Sequence, residues 1–402
     1  YPQGPLAAHV VGMTDIDNKG IAGIEKSFDA TLHGSRDPLR LAIDLRVQTV
    51  LREELTRSMN DFHAIGAIGM VMDVRTGELA GMVSLPDFDP NAPSDPQAMF
   101  NRATLGVYEM GSTFKLFNTA ISLDLGLSNL GSAYDTSPIK VGKFTITDYH
   151  PFNRPLSVTE ILIHSSNLGS ARMALEYGTE NQKAFLAKFG LLKAPHVELP
   201  EVGTPLVPSP WREINTMTIS YGHGIAVTPV HLITGVSALV NGGEWRPATL
   251  LKHEPGTGIA APRQVIKPET SEKLRKMMRM VVESGTGSKA DVPGYFVGGK
   301  TGTAEKLGAG GYRHKALLSS FIATFPTIDP KYVVLAMIDE PQGTKESFGY
   351  ATGGWVAAPA VGRIVSRIGP MLGIAPIGVP EVQREQMVRH AIAKEPKVAA
   401  AE

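Results

Sequence analysis

The C-terminal third of the chain contains three apolar segments in close succession, and this pattern limits the possible folds more than any other feature. The segments are residues 295–297, 317–325 and 332–338, rich in the aromatic and β-branched side chains typical of strands. Short turns between successive strands suit antiparallel pairing. We therefore predict that these segments are three strands of an antiparallel sheet.

The preceding residues add helices and a second hairpin. Two apolar runs around a polar turn, at residues 67–74 and 79–85, predict a hairpin, and residues 41–45 predict the start of another strand. Apolar residues at helical spacing predict helices at residues 112–127, 156–175 and 269–283, the second divided by a polar break at residues 164–167. Helices combined with an antiparallel sheet indicate an α+β fold.

Composition limits the class of protein. The chain has 402 residues, 43% hydrophobic and 19% charged, enough for one large domain with an appendage or two to three smaller domains. Lys plus Arg and Asp plus Glu both number 39, so no cationic excess favours nucleic acid as a partner. The absence of cysteine excludes disulfides and a cysteine nucleophile. The histidines lack metal-ligand spacing, so we expect neither a metal nor another cofactor.

A serine and a lysine three residues apart are the first candidates for chemistry. Ser112 begins a predicted helix, and Lys115 lies one turn further on the same side. A helix N-terminus stabilises developing negative charge, and a lysine can act as a base when burial or another cation lowers its pKa. Taken alone, the pair also fits an ordinary helix cap with a surface lysine, and Ser137 and Lys140 repeat the spacing.

Two further patterns are weak when each is taken alone. Ser165 and Asn167 form an S-x-N triplet, which also occurs at residues 58–60 and fits a simple helix cap. Lys300 opens the only K-[ST]-G sequence of the chain, within a glycine-rich stretch. Glycines there would let an extended peptide approach the backbone closely, although a glycine-rich turn explains the same residues.

Residues 294–301 also satisfy the phosphate-loop pattern G-x-x-x-x-G-K-[ST], which indicates a different class of protein, a nucleotidase. A phosphate loop follows a strand and opens a helix at its lysine. Here Gly294 follows a polar stretch, and Gly302 follows Thr301 with no helical apolar period behind it. The nucleotidase is therefore a distant alternative.

The three patterns are specific when they are taken together. Their order along the chain, S-x-x-K at Ser112, S-x-N at Ser165 and K-T-G at Lys300, resembles that of the penicillin-binding serine acyltransferases, and their spacing that of class B penicillin-binding proteins. Other stretches resemble the same family, and residues 20–25 favour its septal, cell-division type over its elongation type. These stretches are residues 1–10 and 20–25 of a pedestal region, 41–48 at the opening of a transpeptidase domain, 220–229 and 241–243.

The resemblance implies a fold and a set of catalytic roles. The fold would be a five-stranded antiparallel sheet flanked by helices, with a helical subdomain and the active site between the two. Ser112 would attack the penultimate D-Ala carbonyl of a peptidoglycan stem peptide, and Lys115 would accept its proton. Ser165 would relay a proton to the leaving D-Ala, while Asn167 would hydrogen-bond the donor peptide and Lys115.

The resemblance also implies a substrate-binding strand, residues Lys300, Thr301, Gly302 and Thr303. Lys300 would keep the site positive and bind the carboxylate side of the substrate with the two threonine hydroxyls. The backbone N–H groups of Ser112 and Thr303 would form the oxyanion hole. Two lysines in one cleft repel, so Lys300 would also keep Lys115 neutral. Strict strand alternation, however, places Lys300 on the face opposite the threonines.

By the same resemblance, residues 1–40 are a partial pedestal, residues 41–378 the transpeptidase domain and residues 379–402 a charged tail. The implied activity is cross-linking of stem peptides ending in D-Ala-D-Ala, inhibited covalently by β-lactams. A D,D-carboxypeptidase or β-lactamase of the same fold is the alternative.

The resemblance implies a cellular setting as well. A SEDS-family glycan polymerase and divisome proteins are the implied partners. The chain opens at Tyr1-Pro2 without an initiator methionine or an apolar run of membrane-spanning length. We therefore expect a catalytic fragment that works in the periplasm, cut from a single N-terminal anchor in the bacterial inner membrane.

Overall fold

A five-stranded antiparallel sheet forms the centre of the computed structural model, which describes residues 1–378 except 143, 255, 256, 309 and 310. Its strands are β1 (Gly66–Asp73), β2 (Leu79–Leu85), β3 (Gly298–Gly308), β4 (Gly311–Phe325) and β5 (Tyr332–Asp339). They lie in the order β3-β4-β5-β1-β2. The predicted N-terminal hairpin and the antiparallel sheet are both confirmed. The predicted tail, residues 379–402, lies outside the described residues.

Some helices cover both faces of this sheet, and other helices of the described residues pack mainly against one another. They are α1 (Ala8–Val11), α2 (Gly23–Ser27), α3 (Asp29–Gly34), α4 (Leu45–Asp61), α5 (Lys115–Asp124), α6 (Val158–His164), α7 (Asn167–Lys188), α8 (Glu213–Ile219), α9 (Pro229–Val240), α10 (Pro268–Ser284) and α11 (Ala357–Met371). Short 3₁₀ turns add Gly4–Ala7, Gly111–Phe114 and Ser288–Ala290. Helix α7 is interrupted at Gly178, which has non-helical backbone angles.

Four small two-stranded ribbons of the described residues lie outside the main sheet. They pair Met13–Thr14 with Gly20–Ala22, Ala133–Tyr134 with Leu156–Ser157, Ile139–Val141 with Phe144–Ile146, and Glu244–Trp245 with Arg263–Gln264. None of the helices in the described part of the chain combines the length and apolarity needed to cross a bilayer.

Side-chain alternation along the central strands divides the interior into two cores. Met70 of β1 and Leu335 of β5 pack into the first core, which contains apolar residues of α5, α9 and α10. Val71 and Val334, one residue along each strand, pack into the second core with α4 and α11. Because successive side chains of a strand point to opposite faces, each central strand is buried on both sides. The resulting layers, helix, sheet and helix, fit the α+β prediction.

Two of the predicted strands are wrong. Residues 41–45 do not extend into a strand, because the Asp44 side chain accepts a hydrogen bond from Arg46 N at 2.9 Å and caps α4 instead. Residues 295–297 form a turn with Phe296 at φ +46°, and β3 begins only at Gly298. Lys300 therefore lies within a strand, and no helix opens there as a phosphate loop requires.

The N-terminal segment packs against the rest of the protein. Val10 and Ile24 belong to the first core, and Gln48 Nε2 of α4 donates to the carbonyl of Leu6 at 2.9 Å. These contacts attach residues 1–34 to the sheet domain. A separate pedestal ending at residue 40 stays a prediction.

Candidate active site

The nucleophile candidate lies on a 3₁₀ turn pressed against the edge strand of the sheet. Ser112 belongs to the turn Gly111–Phe114, which leads directly into α5. Gly111 has φ +53°, and a Cβ there would lie 2.7 Å from the carbonyl oxygen of Thr303. A Cβ at Gly302 would likewise lie 2.8 Å from the carbonyl oxygen of Met110. Two glycines thus let the Ser112 turn contact the β3 backbone directly.

The amine of Lys115 is surrounded by oxygen atoms. Its Nζ lies 2.8 Å from Ser112 Oγ, 2.8 Å from the Ser165 carbonyl and 3.1 Å from Ser165 Oγ. It also lies 2.7 Å from Asn167 Oδ1. The structure therefore brings together four of the predicted catalytic residues, which the sequence separates by up to 55 positions.

Burial and a nearby cation both disfavour the charged form of Lys115. Burial is the main cause that holds its pKa well below the usual value, the charge of Lys300 adds to it, and Asp148 opposes it. A neutral amine has two N–H donors and one lone pair. The Ser165 carbonyl and Asn167 Oδ1 can only accept, so they take both N–H groups. The lone pair is left for a hydroxyl hydrogen, and Ser112 supplies the closest one.

The predicted polar break between two helices is confirmed, and it explains why the serine and asparagine converge. Ser165 ends α6 in the left-handed conformation, with φ +63°, and Ser166 caps α7. Asp148 stabilises this turn, accepting from Ser166 Oγ at 2.6 Å, Asn167 N at 2.5 Å and Leu168 N at 3.0 Å. The turn therefore presents Ser165 and Asn167 to Lys115 in a fixed geometry.

Lys300 is fully buried behind the turn. Its Nζ lies 3.0 Å from Ser165 Oγ and 3.2 Å from both the carbonyl and the hydroxyl oxygen of Thr301. Burial lowers its pKa to about 7. Ser165 Oγ thus lies between two lysine amines, an arrangement through which a proton can move.

The difficulty raised by strand alternation is resolved by side-chain length. Lys300 pairs across the sheet with Ile322 of the first core, while Thr301 pairs with Phe321 of the second core, so the alternation is strict. Residues directly opposite on antiparallel strands share a face. Lys300 therefore leaves the strand on the face opposite the threonines, and its long side chain carries Nζ to Ser165 Oγ and to Thr301 Oγ1.

A cleft of about 1300 Å³ opens in front of these residues. Ser112, Ser165, Asn167, Thr301 and Thr303 line it, whereas Lys300 lies behind the surface. The aromatic side chains of its wall come from two loops, residues 148–152 and the segment after β5. They are Tyr149, Phe152, Tyr350 and Trp355, with Tyr350 stacked on Trp355 at 5.7 Å between ring centroids.

Sequence reasoning missed several residues of the site. Asp148 belongs to no motif, and Thr286, whose Oγ1 lies 2.8 Å from that of Thr301, precedes the K-T-G segment in an unremarked loop. Glu109 and His223 also meet near the Ser112 turn, with 3.0 Å between Oε2 and Nδ1. His223 lies in the family-like stretch 220–229, but no sequence pattern signalled the three contacts themselves, because each joins segments that meet only in the folded chain.

The repeated motif copies have ordinary structural roles. Ser58 is buried in α4, where it accepts a hydrogen bond from Arg363 Nη2 at 3.1 Å. Ser137 hydrogen-bonds Asp135 and accepts a hydrogen bond from Arg172 Nη2 at 2.9 Å. Within the residues that the structure describes, no three His, Asp or Glu side chains gather as a possible metal site.

These features define a class of protein. A serine hydroxyl beside a buried lysine amine whose charged form is disfavoured, with a second serine bridging to another lysine, is an activated nucleophile for acyl transfer. Residues 67–366 match the family described as the penicillin binding protein transpeptidase domain.

Individual proteins that resemble this chain belong to the same class of transpeptidases. The chain is 44% identical over 391 residues to the probable peptidoglycan D,D-transpeptidase FtsI of Caulobacter vibrioides, covering 93% of this chain and 66% of that protein. It is 33% identical over 411 residues to the probable peptidoglycan D,D-transpeptidase PenA of Neisseria meningitidis, covering 94% and 69%. Penicillin-binding protein 3 from Mycobacterium tuberculosis, solved with aztreonam, superposes with a TM-score of 0.84 at 28% identity, covering 94% of this chain and 91% of that one.

The chain therefore belongs to the penicillin-binding transpeptidase family, in its class B branch and with relatives of the septal type. It spans about two thirds of the length of the curated relatives that it matches.

Proposed function

We propose that this protein is a serine D,D-transpeptidase that cross-links peptidoglycan stem peptides through an acyl-enzyme on Ser112. The observation that carries the proposal is the 2.8 Å contact between Ser112 Oγ and the Nζ of a fully buried Lys115. A weak nucleophile with a neutral amine as its hydrogen-bond partner is ready to lose its proton. The names of the relatives, peptidoglycan D,D-transpeptidases, support the choice of substrate.

In the first step, Ser112 Oγ attacks the carbonyl carbon of the penultimate D-Ala, and its proton passes to Lys115 Nζ. The tetrahedral oxyanion is held by the backbone N–H groups of Ser112 and Thr303, and removing one such donor typically costs about 3–4 kcal/mol. The C–N bond then breaks. Lys115 returns a proton through Ser165 Oγ to the departing D-Ala nitrogen, which leaves an ester on Ser112 and a neutral lysine.

In the second step, an amine from a neighbouring stem peptide attacks the ester carbonyl. Its proton moves to Lys115, the C–O bond to Ser112 breaks, and the serine oxygen takes the proton back. The products are an amide cross-link and the free enzyme. Lys115 therefore acts first as base and then as acid in each half of the reaction.

The only carboxylate in the described lining of the cleft has another task. Both oxygens of Asp148 accept hydrogen bonds from the Ser165–Leu168 turn, so this group holds the turn rather than activating water. A β-lactamase needs a base that prepares water for attack on the ester. The engagement of Asp148 supports a long-lived ester that waits for an amine.

Penicillin provides the direct test. Intact-mass spectrometry after incubation with benzylpenicillin should show one added penicillin mass in the wild-type protein and none in Ser112→Ala. A peptide map should locate the adduct on Ser112. An unmodified wild-type mass, or an adduct that persists in Ser112→Ala, would refute the nucleophile assignment.

The lifetime of the adduct separates the transpeptidase from its relatives. We expect the ester to last through hours of dialysis, whereas a β-lactamase would lose it within seconds to minutes. Release of D-Ala from a stem peptide without cross-linked product, when an acceptor amine is present, would indicate a carboxypeptidase instead.

The proposed setting is the periplasmic side of the inner membrane, with an N-terminal anchor and a SEDS-family polymerase and divisome proteins as partners. The names of the relatives, peptidoglycan D,D-transpeptidases, support a place of action where peptidoglycan is made. A fluorescent fusion of the full-length protein should gather at the division site, and uniform labelling of the envelope would contradict the septal role.

A further inference from the structure

Lys300 has no donor left for a substrate. Its ammonium has three N–H groups, and three oxygen atoms of Ser165 and Thr301 already lie within hydrogen-bond distance. The side chain is 0% exposed, and Lys300 does not line the cleft. Burial also lowers its pKa to about 7, so part of the population is neutral at neutral pH. The carboxylate of a bound peptide therefore needs a different cation for direct contact.

Lys289 is that cation. Among the described residues that line the cleft it is the sole lysine or arginine. It lies on the 3₁₀ turn Ser288–Ala290, and its exposed Nζ sits 4.2 Å from the ring centroid of Trp355. No carboxylate of the described residues pairs with it. An ammonium held on an aromatic face loses part of its conformational freedom, so it is positioned to meet an anion.

Hydroxyl groups complete the place for an anion. Thr286 and Thr301 both line the cleft, and their Oγ1 atoms lie 2.8 Å apart. Whichever of the two donates, one hydroxyl hydrogen of the pair remains available. A Cβ at Gly354 would lie 2.6 Å from the Thr286 carbonyl oxygen and 3.7 Å from Thr301 Cγ2, so the residue next to Trp355 abuts this pair. Lys289 and the hydroxyls therefore lie on the same end of the cleft.

We propose that Lys289 supplies the fixed positive charge that binds the C-terminal carboxylate of the donor peptide, and the corresponding carboxylate of a β-lactam, beside the Thr286 and Thr301 hydroxyls. This inference rests on the proposed function. Lys300 then takes part in proton transfer through Ser165, whereas Lys289 binds the carboxylate.

A pair of β-lactams that differ only in the anion tests the proposal. Benzylpenicillin and its methyl ester share every atom except the carboxylate charge and the added methyl group. The second-order rate constant of acylation, followed by intact-mass spectrometry, is measured for wild type, Lys289→Gln and Lys289→Arg. Lys276→Gln is the matched control, since Lys276 is an exposed lysine of α10.

We expect Lys289→Gln to slow acylation by the acid roughly five-fold and by the ester less than two-fold, since an exposed charge contact is worth about 1 kcal/mol. Lys289→Arg should restore most of the rate, and Lys276→Gln should change neither. Added salt should slow acylation by benzylpenicillin more in wild type than in Lys289→Gln. Salt screens the contact between the carboxylate and Lys289, and the variant lacks that contact. Equal slowing of acid and ester, or no slowing of either, would overturn the proposal.

A failure of the proposed function gives a different result. If neither compound acylates wild type, the serine acyltransferase assignment fails. Calorimetric binding of N-acetyl-D-Ala-D-Ala and its C-terminal amide to Ser112→Ala protein then still tests Lys289. A preference for the acid that disappears in the Ser112→Ala, Lys289→Gln double variant supports the carboxylate contact, and a preference that remains, or none at the start, contradicts it.

Discussion

Two clusters of buried charge lie on opposite sides of the sheet, and they are built in opposite ways. Behind the wall of the cleft, Lys115 and Lys300 are fully buried, each with the other lysine as a near neighbour. Between α4 and α11, Glu54 is 9% exposed and meets Arg363 Nε at 2.6 Å and Arg367 Nη1 at 2.9 Å.

The difference appears in the pKa values. Burial alone would raise the pKa of Glu54, but the hydrogen bonds and charges of Arg363 and Arg367 outweigh it and lower the pKa. In the cleft burial prevails, and the pKa of each lysine is lowered. Burying a charge is tolerated when it is paired, and an unpaired buried group gives up its proton instead. The paired cluster therefore serves stability, and the unpaired one can move protons.

The largest expected effect comes from removing the base. Lys115→Met fills a similar volume but has no lone pair for the Ser112 proton, so the acylation rate by benzylpenicillin should fall by about 10³-fold, within the usual range for general-base catalysis. Stopped-flow or mass-spectrometric kinetics measure the loss, and circular dichroism checks the fold. A variant that keeps more than a tenth of the wild-type rate would remove Lys115 from its proposed role.

The paired cluster should respond in stability and not in rate. Glu54→Gln leaves Arg363 without its carboxylate partner and Arg367 with Glu53 alone, and we expect the free energy of unfolding to fall by about 3 kcal/mol. Urea unfolding measures this change, while acylation of the folded variant should match wild type. Glu272→Gln is the control, because its pair with Lys276 is exposed to solvent and an exposed pair contributes little to stability. An equal fall in the free energy of unfolding of Glu54→Gln and Glu272→Gln would show that burial does not make the Glu54 pair more important for stability.

The smallest effect is a pH dependence of stability. The pKa of Lys300 is about 7 when folded and has its ordinary value of 10.5 when unfolded, so between these pH values the unfolded chain binds the extra proton. Stability contributed at this site therefore rises with pH, by at most about 1.4 kcal/mol per unit. In urea unfolding at pH 7, 8 and 9, the free energy of unfolding of wild type should rise relative to that of Lys300→Met by about 1 kcal/mol per pH unit. A constant difference would mean that Lys300 keeps its proton in the fold.

The sequence was sufficient for those features that local pattern determines. The break at Ser165 and the start of a helix beyond Ser112 follow from helical spacing and caps, and both are confirmed. The strand predicted at residues 295–297 was wrong for a local reason that the apolar composition of these residues does not reveal. Phe296 adopts a left-handed conformation, so an apolar run that looks like a strand turns just before β3 begins.

The remaining features depend on contacts between distant segments. The placement of β1 beside β5, the anchoring of the Ser165 turn by Asp148 and the enclosure of Lys300 all join residues without a shared sequence pattern. The K-T-G motif identified Lys300 as a candidate site residue, but it did not indicate which acceptors its N–H groups contact. The site's electrostatics therefore became visible only with the side chains in place.

The strand order has a consequence for how the molecule is made. The centre of the sheet joins β1, complete by Asp73, to β5, which begins only at Tyr332, so a large loop must close before the two cores exist. Such non-local pairing slows folding, because chain entropy is lost before the compensating contacts form. During synthesis from the N-terminus, the edge of β1 that pairs with β5 stays without its hydrogen-bonding partner until β5 has been made. We expect this newly made chain to depend on holding chaperones, and to become an acyltransferase only after its last strand is in place.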